Sequence, residues 1–115
     1  MARMIVFEPN LPPRVVDVDG FKGIQHAVGG YIERVTVDRT GDTREINAWC
    51  DEEGLLKRLP PNVLAAGTPL FGIVVLAAAE RLPDGDQREV DLTEAEIRKW
   101  SRIPRAVTGG AYDHR

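Results

Sequence analysis

The sequence predicts an α+β fold, in which a mainly antiparallel sheet of about five strands packs against two helices in a single domain. Three observations lead to this prediction. Short runs of β-forming residues alternate with proline and glycine turns, two short segments have helical periodicity, and one wholly apolar run has the length of a strand. The domain is expected to span residues 1–100, and 101–115 to form a loosely ordered tail, because the apolar pattern fades there.

The first strands are predicted at residues 3–8 and 14–18. Residues 9–13 include three prolines, at positions 9, 12 and 13. Proline lacks the amide hydrogen that a strand ladder needs, so this segment is expected to form a loop. Because the two runs lie close in the chain, we expect them to pair in antiparallel fashion.

A second antiparallel pair is predicted from residues 31–37 and 45–50, which flank a glycine-containing turn. The first run alternates clearly, and it places four side chains on one face: Tyr31, Glu33, Val35 and Val37. In the second run Cys50 shares a face with Ile46 and Ala48, which predicts that the thiol is buried.

A central strand is predicted at residues 71–79, which contain no polar side chain and are bounded by proline. Gly72 within this run indicates a bulge or a close approach of another part of the chain. Just before it, Asn62 is suited to cap one helical turn at 63–66, with Gly67 ending that turn.

Two helices complete the predicted fold. Phe21, Ile24 and Val28 recur on one helical stripe after Asp19, a candidate N-cap, and Gly29 ends that segment. A second helix is predicted to begin after Thr93, which forms a capping box with the glutamate three residues later.

Composition excludes several classes of protein. The net charge is −3, which argues against nucleic acid as the main partner, because phosphate neutralisation needs a basic face. The longest apolar run is about half of a membrane span, so no membrane association is expected. A single cysteine cannot form an internal disulfide, which favours a reducing compartment and predicts a cytoplasmic protein.

No catalytic or metal-binding constellation is predicted, and no cofactor. Cys50 is followed by acidic residues 51–53, which would raise the pKa of its thiol rather than lower it. Those acids are expected to form a solvated turn, with Gly54 supplying the positive φ. His26 is predicted to be a surface or boundary residue. A basic cluster of Arg98, Lys99, Arg102 and Arg105 is interpreted as a charged helix end.

The order and spacing of 29–33, 51–54, 59–62 and 72–75 resemble a family of small proteins from bacteriophages, prophages and actinobacterial mobile elements. That family is a domain of unknown function, DUF3846. The similarity runs from Met4 to about Trp100 and implies a small α/β fold and a mobile-element setting, without implying a mechanism.

Two hypotheses of function follow, with a third in reserve. The first is a non-enzymatic binding module that captures a nucleotide-like signalling molecule or a host protein in counter-defence, with four rim residues contacting the ligand: Tyr31, Glu33, Glu53 and Asn62. The second is an interaction or assembly subunit that forms a homo-oligomer through a sheet edge. The third is a small hydrolase that uses Asp51, Glu53 or His26.

Overall fold

The computed structural model describes residues 1–106. Its strands and helices follow in chain order: β1 (Ala2–Phe7), β2 (Arg14–Val18), α1 (Gly20–Val28), β3 (Ile32–Thr40), β4 (Arg44–Asp51), β5 (Pro61–Ala65), β6 (Thr68–Phe71), β7 (Val74–Arg81), β8 (Gln87–Val90) and α2 (Glu94–Trp100). The predicted α+β class is confirmed, since every strand pairing among these elements is antiparallel.

The main sheet has six strands. Five of them follow the order β2-β1-β7-β4-β3, and the sixth, β8, pairs with β7 outside this order. The predicted pairs β1–β2 and β3–β4 are both present. β7 lies at the centre, paired to β1, β4 and β8, and its apolar residues are buried on both faces. β3 forms one edge of this sheet.

Each face of the sheet carries its own hydrophobic core. On one face, α1 packs Ile24 and Val28 against residues that include Trp49 and Val75. On the other face, the β5–β6 hairpin and α2 cover a core that is centred on Phe7, Ile46 and Leu76. Because β7 contributes to both cores, its run of apolar residues needs no alternation.

The helix ends follow the sequence signals in one case and depart from them in the other. Thr93 caps α2 in a complete capping box, as predicted. Asp19 occupies the N-cap position of α1, but its side chain makes no capping hydrogen bond. At the other end of α1, Gly29 takes the left-handed conformation with φ 88°.

The helical turn predicted after Asn62 is wrong, because residues 61–65 form β5. The pairing of β5 with β6 and the docking of the hairpin on the sheet outweigh the local helical preference. The apolar run at 71–79 is also divided: Phe71 ends β6, Gly72 turns the chain with φ 81°, and β7 begins at Val74.

Residues 101–106, from the predicted tail, lie against the domain. Ile103 and Ala106 are buried, and Arg105 forms a bridge with Val63 of β5. The rest of the predicted tail, residues 107–115, lies outside the described part of the chain, so the loose order expected there stays a prediction.

Neither helix within residues 1–106 has the length and apolar character that a membrane crossing requires.

Candidate functional site

An apolar groove of about 400 Å³ lies between the edge strand β3 and the elements that cover its face. We call it the β3 groove. It is lined by residues from three separate parts of the chain: 35–37 of β3, 64–67 of the β5–β6 hairpin, and Trp100, Ile103 and Pro104. A concave apolar site of this size is the usual form of a small-molecule pocket.

A bulge in β3 shapes one wall of the β3 groove. The β3–β4 register shifts between Thr36 and Asp38, so that Val37 is the additional residue on β3. Val35 and Val37 both pack against the core on the groove side. Bulges of this kind re-aim side chains at sheet edges and beside binding sites.

The opposite wall combines a tight turn with a tryptophan. Ala66 and Gly67 connect β5 to β6 with φ values of 51° and 83°. Trp100 ends α2 and is half-buried, which leaves part of its ring facing the groove. An exposed aromatic surface of this kind can stack on a planar ligand.

A positive charge stands at the rim of the β3 groove. The Nζ atom of Lys99 lies 5.0 Å from the centre of the Trp100 ring and 3.7 Å from the Asp38 carboxylate of β3. Arg98 and Arg102 are exposed on the same segment. Arg105, the fourth member of the predicted basic cluster, is not at this rim. The groove therefore joins an apolar interior to an edge at which Lys99 is paired with Asp38.

Arg105 instead pins the C-terminal segment to the domain. Its guanidinium donates hydrogen bonds to the carbonyls of Glu8 and Leu11 and to the side chain of Asn62, and it lies over the Phe7 ring. Burial lowers the pKa of Arg105. The interpretation of this arginine as part of a charged helix end is therefore wrong.

The structure divides the four predicted ligand-binding residues into two groups. Tyr31 and Glu53 lie together at one end of the β3–β4 hairpin, where the Tyr31 carbonyl accepts a hydrogen bond from the backbone amide of Glu52. Glu33 follows on β3, and all three side chains are exposed. Tyr31 itself precedes the first residue of β3.

Asn62 is separate from that group because its side chain is buried, with 1% of the residue exposed. Its amide nitrogen donates to the carbonyls of Phe7 and Gly72, both at 2.8 Å, and its oxygen accepts from Arg105 at 2.9 Å. These bonds join β1, the chain before β7 and the C-terminal segment. The ligand-binding role of the four residues stays a prediction.

Asp51 departs from the solvated turn expected for residues 51–53. Glu52 and Glu53 are exposed, but Asp51 is 6% exposed and ends β4. Its Oδ1 accepts from the Glu53 amide and its Oδ2 from the Lys57 ammonium, each at 2.8 Å. Burial opposes ionisation of Asp51, but the hydrogen bonds from Lys57 and Glu53 outweigh burial and hold its pKa below the ordinary value.

Gly54 does not supply a positive φ, contrary to the prediction; Arg58 does, at 56°. The reason for glycine at 54 is packing. A Cβ atom there would lie 3.1 Å from the Phe71 side chain and 3.1 Å from the Phe71 carbonyl. The loop at 52–58 is therefore pressed against β6.

The predicted burial of Cys50 is confirmed, with 3% of the residue exposed. Burial, together with the carboxylates of Glu33 and Asp51, raises the pKa of the thiol to about 11. His26 is exposed, as expected. Among residues 1–106 there is no group of three or more histidine, cysteine or acidic side chains that could hold a metal ion.

The α1 side of the sheet contains a second polar feature, on β4. Glu45 and Asn47 are both buried, and Thr36 donates to the Asn47 side chain at 2.9 Å. Arg34 and Arg39 of β3 form ion pairs with Glu45. Within the described chain, the side-chain nitrogens of Asn47 and Trp49 have no hydrogen-bond partner.

Sequence reasoning did not identify the β3 groove. Its apolar members have the composition of ordinary core residues, and its segments are separated by more than 25 residues in the chain. The basic cluster contains Lys99 and Arg102, but nothing local in the sequence places Val35 and Val37 opposite Trp100. The sequence predicts one helical turn at 63–66, ended by Gly67, and this prediction does not place residues 64–67 in a wall of the groove.

Comparison with curated proteins and with solved structures gives no match. Comparison with protein families does give one, which extends the similarity expected from Met4 to Trp100 at both ends. Residues 1–104 match the family described as a domain of unknown function, DUF3846, and this match includes all strands and helices of the structure together with Ile103 and Pro104 of the groove. The chain belongs to the DUF3846 family.

Proposed function

We propose that the protein is a non-enzymatic binding module that takes a small anionic ligand with a planar apolar body into the β3 groove. The observation that carries the proposal is the groove itself: an apolar cavity of about 400 Å³ beside the exposed ammonium of Lys99. The Trp100 ring and the valines of β3 would contact the apolar body. Lys99 and Arg102 would pair with the negative charge.

A nucleotide-like molecule has this combination of properties. Its base is planar and stacks on an aromatic ring, and its phosphate is attracted to lysine and arginine. In a bacteriophage setting, a protein with such a site would act in counter-defence by withdrawing a signalling nucleotide of the host. The groove supports the chemical class of the ligand, while the setting comes from the family resemblance.

The experiment is a binding titration followed by the fluorescence of Trp100. The chain has two tryptophans, so a Trp49→Phe background isolates the residue that lines the groove. Cyclic nucleotides and ADP-ribose derivatives are expected to quench this fluorescence and to raise the melting temperature. Native mass spectrometry of the purified protein would show the complex directly.

A matched pair of lysine variants locates the site. Lys99→Gln removes the charge at the groove rim, and it is expected to weaken binding about tenfold, which corresponds to about 1.4 kcal/mol. Lys22→Gln removes an exposed charge from α1, on the other face of the sheet, and should leave affinity unchanged. Flat fluorescence and thermal shifts across the whole set of nucleotides would contradict the proposal.

A further inference from the structure

The loop at residues 52–58, which we call the leucine loop, holds two large apolar side chains in solvent. Leu55 is 71% exposed and Leu56 is 82% exposed. Tyr31, which is 70% exposed, lies beside this loop because its carbonyl accepts the Glu52 amide at 2.9 Å. Adjacent exposed apolar residues of this size indicate an interaction surface.

The leucine loop is exposed, but hydrogen bonds hold it in one arrangement. The buried Asp51 carboxylate accepts hydrogen bonds from the Glu53 amide and from the Lys57 ammonium, so it fastens both ends of the loop. The Leu59 amide also donates to the Gly54 carbonyl at 3.0 Å. Because the loop is already ordered, binding through it costs little conformational entropy.

The charges beside the leucines are mainly acidic. Glu52 and Glu53 are exposed and immediately precede the leucines, and Glu33 is exposed on the neighbouring end of β3. Lys57 is held by Asp51, while Arg58 is exposed at the far end of the loop. The leucine loop thus presents an apolar tip with carboxylates on one side.

The β3 groove has the complementary character. Its interior is apolar, Lys99 lies beside the Trp100 ring that lines it, and Arg98 and Arg102 are exposed in the same segment of the chain. One chain therefore carries an apolar projection with acidic residues beside it and an apolar groove with basic residues beside it. Complementary charge of this kind orients two protein surfaces.

We propose that two copies of this chain form a twofold dimer in which the leucine loop of each copy occupies the β3 groove of the other. β3 makes this arrangement possible, because Tyr31 precedes its first residue and Val35 and Val37 line the groove. Both surfaces consequently lie along the same edge of the sheet, where β3 pairs only with β4 among the described strands. A twofold axis beside that edge brings both contacts together at once.

The dimer and the proposed ligand share the groove, so the two occupants compete. Dimer formation itself requires no ligand, and its test uses the full chain alone. A ligand that binds the groove should shift the protein toward monomer by mass action. If the dimer forms and no nucleotide binds, the ligand proposal fails while the dimer stands. If the protein is a monomer at every protein concentration and binds a nucleotide, the dimer proposal fails while the ligand proposal stands.

Sedimentation velocity of the full-length protein over a wide range of concentration is the direct measurement. A concentration-dependent dimer is expected for the wild type. A Leu55→Ser/Leu56→Ser variant is expected to be monomeric, or to dimerise at least about tenfold more weakly. Val15→Ser alters an exposed apolar residue of β2, at the opposite edge of the sheet, and should dimerise as the wild type does.

A charge exchange tests the same contact without altering the leucines. Glu53→Lys and Lys99→Glu should each weaken the dimer, and combining them should restore affinity toward that of the wild type. A wild-type monomer at all concentrations would overturn the proposal. Unchanged dimerisation of the double leucine variant, or weaker dimerisation of the exchanged pair than of either single variant, would also overturn it.

Discussion

At the scale of single residues, two buried polar side chains organise the loops of this protein. Asp51 accepts hydrogen bonds from the backbone amide of Glu53 and the ammonium of Lys57. Asn62 donates hydrogen bonds to two backbone carbonyls and accepts one from the guanidinium of Arg105. A buried polar group is costly unless it is hydrogen-bonded, and these two are fully engaged. Asp51 fixes the loop that follows β4, and Asn62 joins β1 to the C-terminal segment.

Replacing Asp51 by asparagine should destabilise the fold by about 2 kcal/mol, because the amide nitrogen of asparagine cannot accept the bond that a carboxylate oxygen accepts. Urea denaturation at neutral pH measures the loss. Glu52→Gln, which neutralises the exposed neighbour, should change stability by less than about 0.5 kcal/mol. Equal effects of the two substitutions would show that Asp51 does not hold the loop.

The contribution of Asp51 should also depend on pH. Its folded-state pKa is lowered, so its stabilisation is present above the ordinary carboxyl pKa of about 4 and is lost as the pH falls through the lower folded value. The difference in unfolding free energy between the wild type and Asp51→Asn should therefore shrink below about pH 4. A difference that stays constant into stronger acid would contradict this linkage.

Asn62→Leu measures what the hydrogen bonds of this residue contribute to the stability of the fold. The substitution leaves the carbonyls of Phe7 and Gly72 without their donor, so a loss of about 2–4 kcal/mol is expected from chemical denaturation. Thr68→Val, at an exposed position of β6, is the control and should be nearly neutral. A loss below about 1 kcal/mol would mean that the bonds of Asn62 contribute little to the fold.

At the scale of elements, local sequence signals were sufficient where a segment pairs with its neighbour in the chain. The β3–β4 hairpin, the β1–β2 pair and the capping box of α2 each depend on residues close in sequence. Both helices and the burial of Cys50 were predicted for the same reason.

Elements that depend on distant contacts were predicted less well. The bulge in β3 was not predicted, although Val35 and Val37 keep the shared face that alternation assigned to them. Asn62 resembles a helix N-cap locally, but its side chain is taken up by residues 55 and 43 positions away. The buried Asp51 pairs with Lys57, which is only six residues away but lies in a loop that no periodicity describes.

Gly72 gives a prediction at this scale, because it both turns the chain and accepts a close neighbour. Gly72→Ala would meet a positive φ of 81° and a Leu59 methyl 2.7 Å from the new Cβ. Gly85 has a similar φ, 93°, with nothing within 4 Å. Gly85→Ala should therefore cost about 1–2 kcal/mol, and Gly72→Ala about 1–3 kcal/mol more, in thermal or urea unfolding. Equal losses would show that Leu59 moves aside freely.

At the scale of the whole molecule, the candidate site is a product of topology. β3 reaches the groove as the edge strand, the β5–β6 hairpin covers the sheet face, and residues 100–104 close the far side. The strand order brings these parts together, and it depends on β7 lying between β1 and β4. Sequence patterns gave the types of most of these elements but not their arrangement, so the groove could not be predicted.

The boundary of the folded unit provides the last prediction, because residues 101–106 contribute to the domain. A chain ending at Trp100 loses the buried side chain of Ile103, and it leaves Asn62 Oδ1 without the Arg105 guanidinium and the Leu64 amide without the Pro104 carbonyl. The buried apolar side chain is worth about 1.5–3 kcal/mol, and each unsatisfied polar group about 1–3 kcal/mol. A loss of at least about 3 kcal/mol is therefore expected, a large fraction of the stability of a small domain.

The measurement compares chains 1–100 and 1–106 by urea denaturation, with 1–106 as the control that retains every one of these contacts. The shorter chain should unfold at a lower urea concentration. Its groove lacks Ile103 and Pro104, so a nucleotide should no longer quench the fluorescence of Trp100. Stabilities within about 1 kcal/mol of each other would place the end of the domain at residue 100, as the fading apolar pattern predicts. A clear loss would extend the folded unit to include the segment that closes the groove.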